Sequence, residues 1–274
     1  MNSGEVLQEK IARKPGYELR GHRHELYGVS KKRRMRETKG KPVTDRDRPL
    51  LAVLIDADNV PAKFADAILR EVTAIGEPAL RRVYGDWTSG RLNAWSARIL
   101  ELGLVAHQDT SNTTGKNASD IGLVIDAMDI LHGGRFDGFV IVSSDSDFTA
   151  LANRLREDGL TVIGIGEAKA PEALRNVCNR FILIENLIDE PQQATTRAAP
   201  KSALPLIESA MDKIQQDDDW YALGQIGQAI QNAHPDFDTR TYGHRKLSAL
   251  VESLKGVETR KQGNQLMMRL KRSG

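Results

Sequence analysis

Short apolar runs alternate with amphipathic segments from Leu50 onwards. Apolar residues at three- and four-residue spacing predict helices between the apolar runs. Alternating strands and helices are typical of βα units around a mainly parallel sheet. The sequence therefore predicts an α/β domain over residues 50–186. Its predicted strands are 51–55, 80–84, 104–107, 138–142, 161–165 and 181–184, and its predicted helices are 62–75, 91–102, 118–131, 146–158 and 171–178.

The pattern changes again after this region. Residues 187–203 carry two prolines and no periodicity, which is typical of a linker. Three amphipathic helices follow, and then two strands flank Gln262-Gly263-Asn264. Three helices followed by a β-hairpin predict a small winged-helix domain over residues 204–271. Its predicted helices are 204–216, 222–233 and 239–254, and its predicted strands are 257–261 and 266–270.

Charge is unevenly distributed along the chain, although the net charge is only +2. Residues 1–50 hold 14 Lys and Arg against 7 Asp and Glu, residues 51–190 hold 13 against 21, and residues 191–274 hold 12 against 9. Residues 1–49 include the run Lys31-Lys32-Arg33-Arg34-Met35-Arg36 and few apolar residues, so we expect a basic, disordered arm. This arm is either a solvated tail or an electrostatic contact for phosphates.

Composition excludes several classes of protein. Cys178 is the only cysteine, so one chain forms neither a disulfide framework nor a cysteine zinc site. A single cysteine favours a reducing compartment, and we therefore expect a cytoplasmic location. The longest apolar runs, such as 50–55, are far shorter than the about 20 residues of a membrane helix. No membrane partner is expected.

Carboxylates cluster at the predicted carboxyl ends of two strands. Asp56 and Asp58 follow the first strand, Asp145 and Asp147 follow the fourth, and Asp120 begins the helix before the fourth. Ligands of open α/β sheets bind at these ends, and converging carboxylates suit Mg²⁺ or Mn²⁺. Helix capping by Asp120, Asp145 and Asp147 is the alternative explanation. Asp126 and Asp129 lie on other faces of their helix, and we expect them to be solvated, with an approach of Asp126 to the acidic site as the alternative.

The segments around these acids resemble three motifs of the NYN domain, LabA-like branch, a family of PIN-like nucleases. The resemblance implies a strand order of 3-2-1-4-5 and a metal-dependent cleavage of phosphodiester bonds with Mg²⁺ or Mn²⁺. Ser144 and Ser146 stand where the family often has glycine. The matching segments are 54–59, 116–126 and 140–148. The metal-binding catalytic acids carried over from the family are Asp56, Asp120, Asp145 and Asp147, with Asn59 beside them as a further catalytic residue.

The C-terminal region resembles the OST-HTH/LOTUS domain in Trp220–Gly227, Pro235–Gly243 and the apolar residues from Leu247 to Leu254. This resemblance implies RNA binding or, in some members, a protein partner, and a homo-oligomer is open as well. Exposed cations are expected to contact RNA phosphates. The candidate RNA-binding residues are Lys116, Arg82 and Arg91 in the first domain, and Arg240, His244, Arg245, Lys246, Arg260 and Lys261 in the second. Trp87 and Trp95 are candidate stacking residues, with core packing as the alternative for Trp95.

Three functions are compatible with these features. The first is a metal-dependent ribonuclease, with endonucleolytic cleavage favoured, to which the winged-helix domain recruits RNA. The second is a haloacid-dehalogenase-type phosphatase, in which Asp56 attacks phosphorus and Asp58 acts as acid and base. The third is a non-catalytic RNA-binding adaptor. Neither His107 nor His132 is needed for metal-assisted hydrolysis, so we expect these histidines to be packing or surface residues.

Overall fold

A computed structural model describes residues 17–22, 26–30, 48–88, 90–108, 118–188, 198–214, 216 and 218–271. The chain forms two compact units, 1–47 and 48–274. In the first unit, Tyr17–His22 and Leu26–Ser30 pair as an antiparallel hairpin. The expectation of a disordered arm is therefore wrong for these two segments, in which tyrosine and valine favour extended backbone. The basic run 31–36 lies outside the described residues.

The second unit begins with a six-stranded parallel sheet. Its order is β3-β2-β1-β4-β5-β6, which confirms the expected 3-2-1-4-5 order and adds β6 at one edge. Strands β1 and β4 pair directly along their length. Their carboxyl ends are therefore neighbours at the centre of the sheet. The strands are β1 (Leu50–Asp56), β2 (Glu77–Gly85), β3 (Val105–Gln108), β4 (Gly138–Val142), β5 (Thr161–Gly166) and β6 (Arg180–Leu183).

Helices cover both faces of this sheet. Strand β1 is apolar on both sides, as expected for a strand buried between two helical layers. Leu51, Val53 and Ile55 belong to one core, whereas Ala52 and Leu54 belong to the other. The predicted α/β fold is confirmed. The helices are α1 (Ala65–Ile75), α2 (Asn93–Leu102), α3 (Ala118–His132), α4 (Thr149–Glu157) and α5 (Glu172–Val177), with 3-10 turns at Ala62–Phe64, Ser146–Phe148 and Ile184–Leu187.

The C-terminal domain is a winged helix with a core of its own. A three-stranded antiparallel sheet of order β8-β9-β7 packs against three helices. Strand β7 was not predicted, because it consists of two residues only. No described helix has both the length and the apolar character needed to cross a membrane. The elements are a 3-10 turn at Pro200–Ala203, α6 (Leu204–Ile214), β7 (Tyr221–Ala222), α7 (Leu223–Ala233), α8 (Leu247–Glu252), β8 (Val257–Gln262) and β9 (Gln265–Leu270).

The single helix predicted over 239–254 is interrupted. Thr239–Tyr242 forms a 3-10 turn that Asp238 caps by accepting from the backbone of Arg240. Gly243 then adopts the left-handed region with φ of 79°. Glycine occupies this region without the steric cost that other residues meet, so the turn ends there and α8 starts only at Leu247.

The segment between α7 and α8 docks on the edge strand β6 of the first domain. The backbone N–H of Phe181 donates to the carbonyl of Pro235 at 2.8 Å, and Asn186 donates to the hydroxyl of Thr241 at 2.9 Å. The guanidinium of Arg240 donates to both carboxylate oxygens of Glu71 on α1, each at 3.0 Å. The C-terminal domain therefore covers one edge of the sheet, where unpaired backbone groups favour aggregation.

Candidate metal centre and nucleic-acid surfaces

Three carboxylates meet at the carboxyl end of the sheet. Asp120 lies in the first turn of α3, and Asp145 and Asp147 lie in the 3-10 turn after β4. One oxygen from each lies within 4.8 Å of one oxygen from each of the other two. Asp145 also caps its turn by accepting from the backbone of Asp147 at 2.9 Å. The capping interpretation and the cluster interpretation are therefore compatible for Asp145.

Asp56 lies at the end of β1, is almost fully buried, and is held by four hydrogen bonds. Its Oδ1 accepts from the backbone N–H groups of Asp58 and Asn59 at 3.1 and 3.2 Å. Its Oδ2 accepts from the Asn59 amide at 2.6 Å and from the Ser143 hydroxyl at 2.8 Å. An ionised carboxylate offers about four acceptor positions, so these donors use its whole capacity.

Ser143 connects Asp56 to the turn that carries the other acids. Its hydroxyl donates to Asp56 and accepts from the backbone N–H of Asp145 at 3.1 Å. Sequence analysis did not identify Ser143, although its place directly after β4 and two residues before Asp145 was a usable signal. Among the described residues, the convergent group that could hold a metal ion contains Asp120, Asp145 and Asp147. Asp56 is connected to this group through Ser143.

The electrostatics of the group favour a bound cation. Burial and the neighbouring charges of Asp56 and Asp145 raise the pKa of Asp120 to about 6. Burial likewise raises the pKa of Asp56, although hydrogen bonds from Asn59 and Ser143 partly offset this effect. Bringing carboxylates together is unfavourable without a compensating positive charge. Hard oxygen ligands in this number fit Mg²⁺ or Mn²⁺.

Asp126 and Arg82 have internal roles that sequence analysis did not predict. Asp126 accepts from the guanidinium of Arg82 and from the phenol of Tyr84, both on β2. Asp126 is therefore partly buried and paired, whereas Asp129 is exposed as expected. The guanidinium of Arg82 is thus paired inside the domain, and an RNA contact at Arg82 stays a prediction. Local periodicity does not reveal the pair, because 44 positions separate its members.

The remaining candidates of the first domain differ in exposure. The side chain of Arg91 is 72% exposed and lies 3.9 Å from Asp58, beside the acidic group. Trp95 is buried and donates to the carbonyl of Val60, so the core interpretation is correct for it. Trp87 is partly buried and donates to the carbonyl of His107. Lys116 lies outside the described residues.

Of the two histidines considered in the sequence analysis, His107 packs against other side chains and His132 lies at the surface. His107 lies against the ring of Tyr84 at a centroid distance of 5.2 Å, and burial lowers its pKa. His132 is exposed at the end of α3 and contacts the carbonyl of Met128.

The C-terminal cations separate into two groups. Arg240 contacts Glu71 of the first domain and Asp238, so its guanidinium is paired at the domain boundary. An RNA contact by Arg240 stays a prediction. Four other candidates are exposed, and His244 is partly exposed. The exposed candidates are Arg245, Lys246, Arg260 and Lys261.

Trp220 adds an aromatic group beside the hairpin. The guanidinium groups of Arg260 and Arg269 lie over its ring, at 4.1 and 4.7 Å from the centroid. Arg269 also pairs with Glu258 at 2.7 Å. The hairpin therefore combines stacked and charged side chains, as surfaces that bind single-stranded nucleic acid do.

A cavity of about 860 Å³ lies between α6 and the hairpin of the C-terminal domain. None of its lining residues belongs to the acidic group of the parallel sheet. The cavity is a poor match for phosphates, because carboxylates outnumber cations in its lining. These carboxylates are Glu208, Asp212, Asp219 and Glu258, against Arg269 and Lys271.

A parallel α/β sheet with acids at the ends of its central strands, joined to a winged helix, defines a PIN-like protein with an attached winged-helix module. Two protein-family models match the chain. The NYN domain matches residues 50–185, and the OST-HTH/LOTUS domain matches residues 196–267. The chain therefore contains an NYN domain followed by an OST-HTH/LOTUS domain, and NYN is a family of PIN-like nucleases.

The chain was also compared with individual curated proteins and with solved structures. No curated protein matches the chain significantly. A crystal structure of a protein of unknown function from Vibrio parahaemolyticus is 20% identical, with a TM-score of 0.44. The match covers 52% of this chain and 96% of the Vibrio chain.

Proposed function

We propose that this protein is a metal-dependent ribonuclease whose Mg²⁺ or Mn²⁺ is held by Asp120, Asp145 and Asp147. The observation that carries the proposal is the convergence of these three carboxylates, from two different elements, within 4.8 Å. A bound divalent ion supplies an activated water and neutralises charge on the scissile phosphate. Family membership supports nuclease activity, and the donor set supports the metal.

Asp56 and Asn59 act in this proposal as supporting residues. Asp56 adds negative charge close to Asp120. Through Ser143, it also orients the turn that carries Asp145. Asn59 holds one oxygen of Asp56 by its amide at 2.6 Å. A direct metal bond at Asp56 would require Asn59 or Ser143 to release an acceptor position. We therefore propose that Asp56 positions the acidic group and does not itself bind the metal.

RNA is the proposed substrate because the OST-HTH/LOTUS domain binds RNA at the level of the family. Its exposed cations and the stacked Trp220 provide phosphate and base contacts. Docking on β6 attaches this surface to the nuclease domain, which raises the local concentration of RNA at the acidic group. Arg91 is the proposed phosphate contact nearest to Asp58.

The geometry of Asp56 disfavours the phosphatase alternative. A nucleophilic carboxylate needs an oxygen free to attack phosphorus, whereas both oxygens of Asp56 are occupied by donors. The adaptor alternative differs from the proposal only in the absence of cleavage. Both alternatives are outcomes of the experiment that tests the proposal.

The test compares the parent chain with Asp145→Asn and with Asp129→Asn, which removes an exposed carboxylate from α3. Each protein is incubated with single-stranded RNA, structured RNA, DNA and a small phosphomonoester, in Mn²⁺, Mg²⁺ or EDTA. We expect the parent to cleave RNA only with a divalent ion and Asp145→Asn to lose about 100-fold or more. RNA affinity should change less than about twofold, because base and phosphate contacts remain.

Three results would contradict the proposal. Equal cleavage by Asp145→Asn and the parent would remove the acidic group from the mechanism. Hydrolysis of the phosphomonoester with intact RNA would favour the phosphatase. RNA binding by the parent without cleavage under any metal condition would favour the adaptor.

A further inference from the structure

The acidic group depends on the placement of one helix. Asp120 projects from the first turn of α3, whereas Asp145 and Asp147 belong to the turn after β4. A metal centre tolerates displacements of only a few tenths of an ångström in its ligand distances. Any shift or rotation of α3 relative to the sheet therefore changes the distance from Asp120 to the other two carboxylates.

Helix α3 is held from one side. It contacts β1, β2 and the 3-10 turn Ser146–Phe148, and Leu123 and Ala127 are buried in the core beneath it. On its outer side, Ile121 and Ile125 are 60% and 58% exposed. The outer side of the helix therefore adds little packing that would resist a shift or rotation. Repulsion among the clustered carboxylates also acts to push its first turn away.

A polar contact on the inner side of α3 restrains the position of the helix on the sheet. The two oxygens of Asp126 accept separately from Arg82 and Tyr84, which lie two positions apart on the same face of β2. Burial and the bond to Asp126 hold the pKa of Tyr84 far above its ordinary value, so its phenol remains a donor. Charge-assisted hydrogen bonds of this kind are directional and strong.

Tyr84 also connects this contact to the end of β1. Its backbone carbonyl accepts from the N–H of Ala57 at 2.9 Å, and Tyr84 is the register partner of Asp56 in the β1–β2 pair. One residue thus holds the strand end that carries Asp56 and, through Asp126, the helix that carries Asp120.

We propose that Asp126, clamped by Arg82 and Tyr84, is a positioning residue that sets the placement of α3 and so brings Asp120 to Asp145 and Asp147. The inference rests on the proposed metal centre. It assigns a role in metal affinity to three residues that do not themselves contact the metal.

The test measures Mn²⁺ binding to the full chain by calorimetric titration, well below the unfolding temperature. We expect Asp126→Asn to weaken Mn²⁺ binding by about 10–100-fold, the usual effect of disturbing groups that orient ligands. The milder variant Tyr84→Phe should act in the same direction by a smaller factor. In RNA cleavage, excess Mn²⁺ should restore the rate of both variants towards that of the parent.

Two controls separate positioning from general destabilisation. Asp129→Asn removes an exposed carboxylate from the same helix and should bind Mn²⁺ like the parent. Val72→Ala opens the core on the opposite face of the sheet, so it should lower the unfolding temperature but leave Mn²⁺ affinity unchanged.

Unchanged Mn²⁺ affinity in both Asp126→Asn and Tyr84→Phe would overturn the inference and leave the proposed function standing. Equal weakening in Val72→Ala would also overturn it, because the effect would then follow stability alone. A parent chain that binds no Mn²⁺ would overturn the metal centre itself, and the inference with it.

Discussion

Single carboxylates in this protein differ because their surroundings differ. Asp56 is buried, which raises its pKa, and its four hydrogen-bond donors offset part of this effect. Asp120 is less buried but faces the charges of Asp56, Asp145 and Asp147, which raise its pKa together with burial. The same residue type is therefore proposed as a supporting residue at position 56 and as a cation ligand at position 120.

The raised pKa of Asp120 predicts a pH effect on the metal-free protein. Its pKa is about 6 in the folded chain against an ordinary value of 3.8, so the folded state binds this proton more tightly than the unfolded state. The free energy of unfolding should therefore fall as pH rises from about 4 to about 6, since Asp120 then ionises in the folded state. Asp120→Asn should remove this part of the pH dependence.

Thermal unfolding in EDTA at pH 5, 6 and 7 measures the effect. Relative to the parent, Asp120→Asn should gain stability as pH rises, while Asp129→Asn should follow the parent. Parallel curves for the parent and Asp120→Asn would contradict the prediction. Adding Mn²⁺ at pH 7 should stabilise the parent more than Asp120→Asn.

At the scale of elements, the turn after β4 is packed tightly against the end of β5. Ser144, at one of the two positions where the family often has glycine, accepts from the backbone N–H of Glu167 at 2.8 Å. Gly166 lies opposite this turn, and a Cβ atom at that position would come within 2.6 Å of the carbonyl oxygen of Ser143. The glycine is required by this close approach of two backbones.

Gly166→Ala should therefore destabilise the protein by about 1–3 kcal/mol, the usual cost of overpacking. Because the displaced group is the backbone of Ser143, the variant should also bind Mn²⁺ more weakly. Denaturant unfolding and Mn²⁺ titration measure both effects. Gly224→Ala, in α7 with open space around the new Cβ, is the matched control and should be neutral or stabilising by up to about 1 kcal/mol. Equal stability of the two variants would contradict this account.

At the scale of the whole molecule, docking places the winged helix along the β6 edge. Glu71 is central to this contact, because it accepts from Arg240 of the C-terminal domain and from Arg180 at the start of β6. Arg175 and Asp236 form a second ion pair across the same boundary at 2.8 Å. These contacts make the two domains a coupled unit.

Arg240→Ala should weaken docking by about 1.5–3 kcal/mol, the range for hydrogen bonds to charged groups. Scanning calorimetry should then show separate unfolding of the two domains, whereas Lys255→Ala, an exposed cation of the same domain, should unfold like the parent. RNA affinity and its salt dependence should be nearly unchanged in Arg240→Ala. A lower RNA affinity, with a salt slope reduced by about 1 and unaltered unfolding, would instead favour the RNA contact predicted from sequence.

Much of the architecture follows from local patterns. The continuous apolar run of β1 predicts a strand buried on both faces, and the alternation of Leu266, Met268 and Leu270 predicts the hairpin. The acids at strand ends are equally visible, because their position depends only on where each strand stops. The interruption at Gly243 was missed, because an amphipathic pattern continues through it.

The sequence alone determined the α/β domain, the winged helix and the set of acids at the carboxyl edge of the sheet. Tertiary structure decided which acids converge, that the oxygens of Asp56 are occupied, and that Arg82 and Arg240 are paired internally. The physical reason is separation along the chain. Periodicity reports which face a residue occupies, but Glu71, the partner of Arg240 in the other domain, lies 169 positions away and is brought near only by packing.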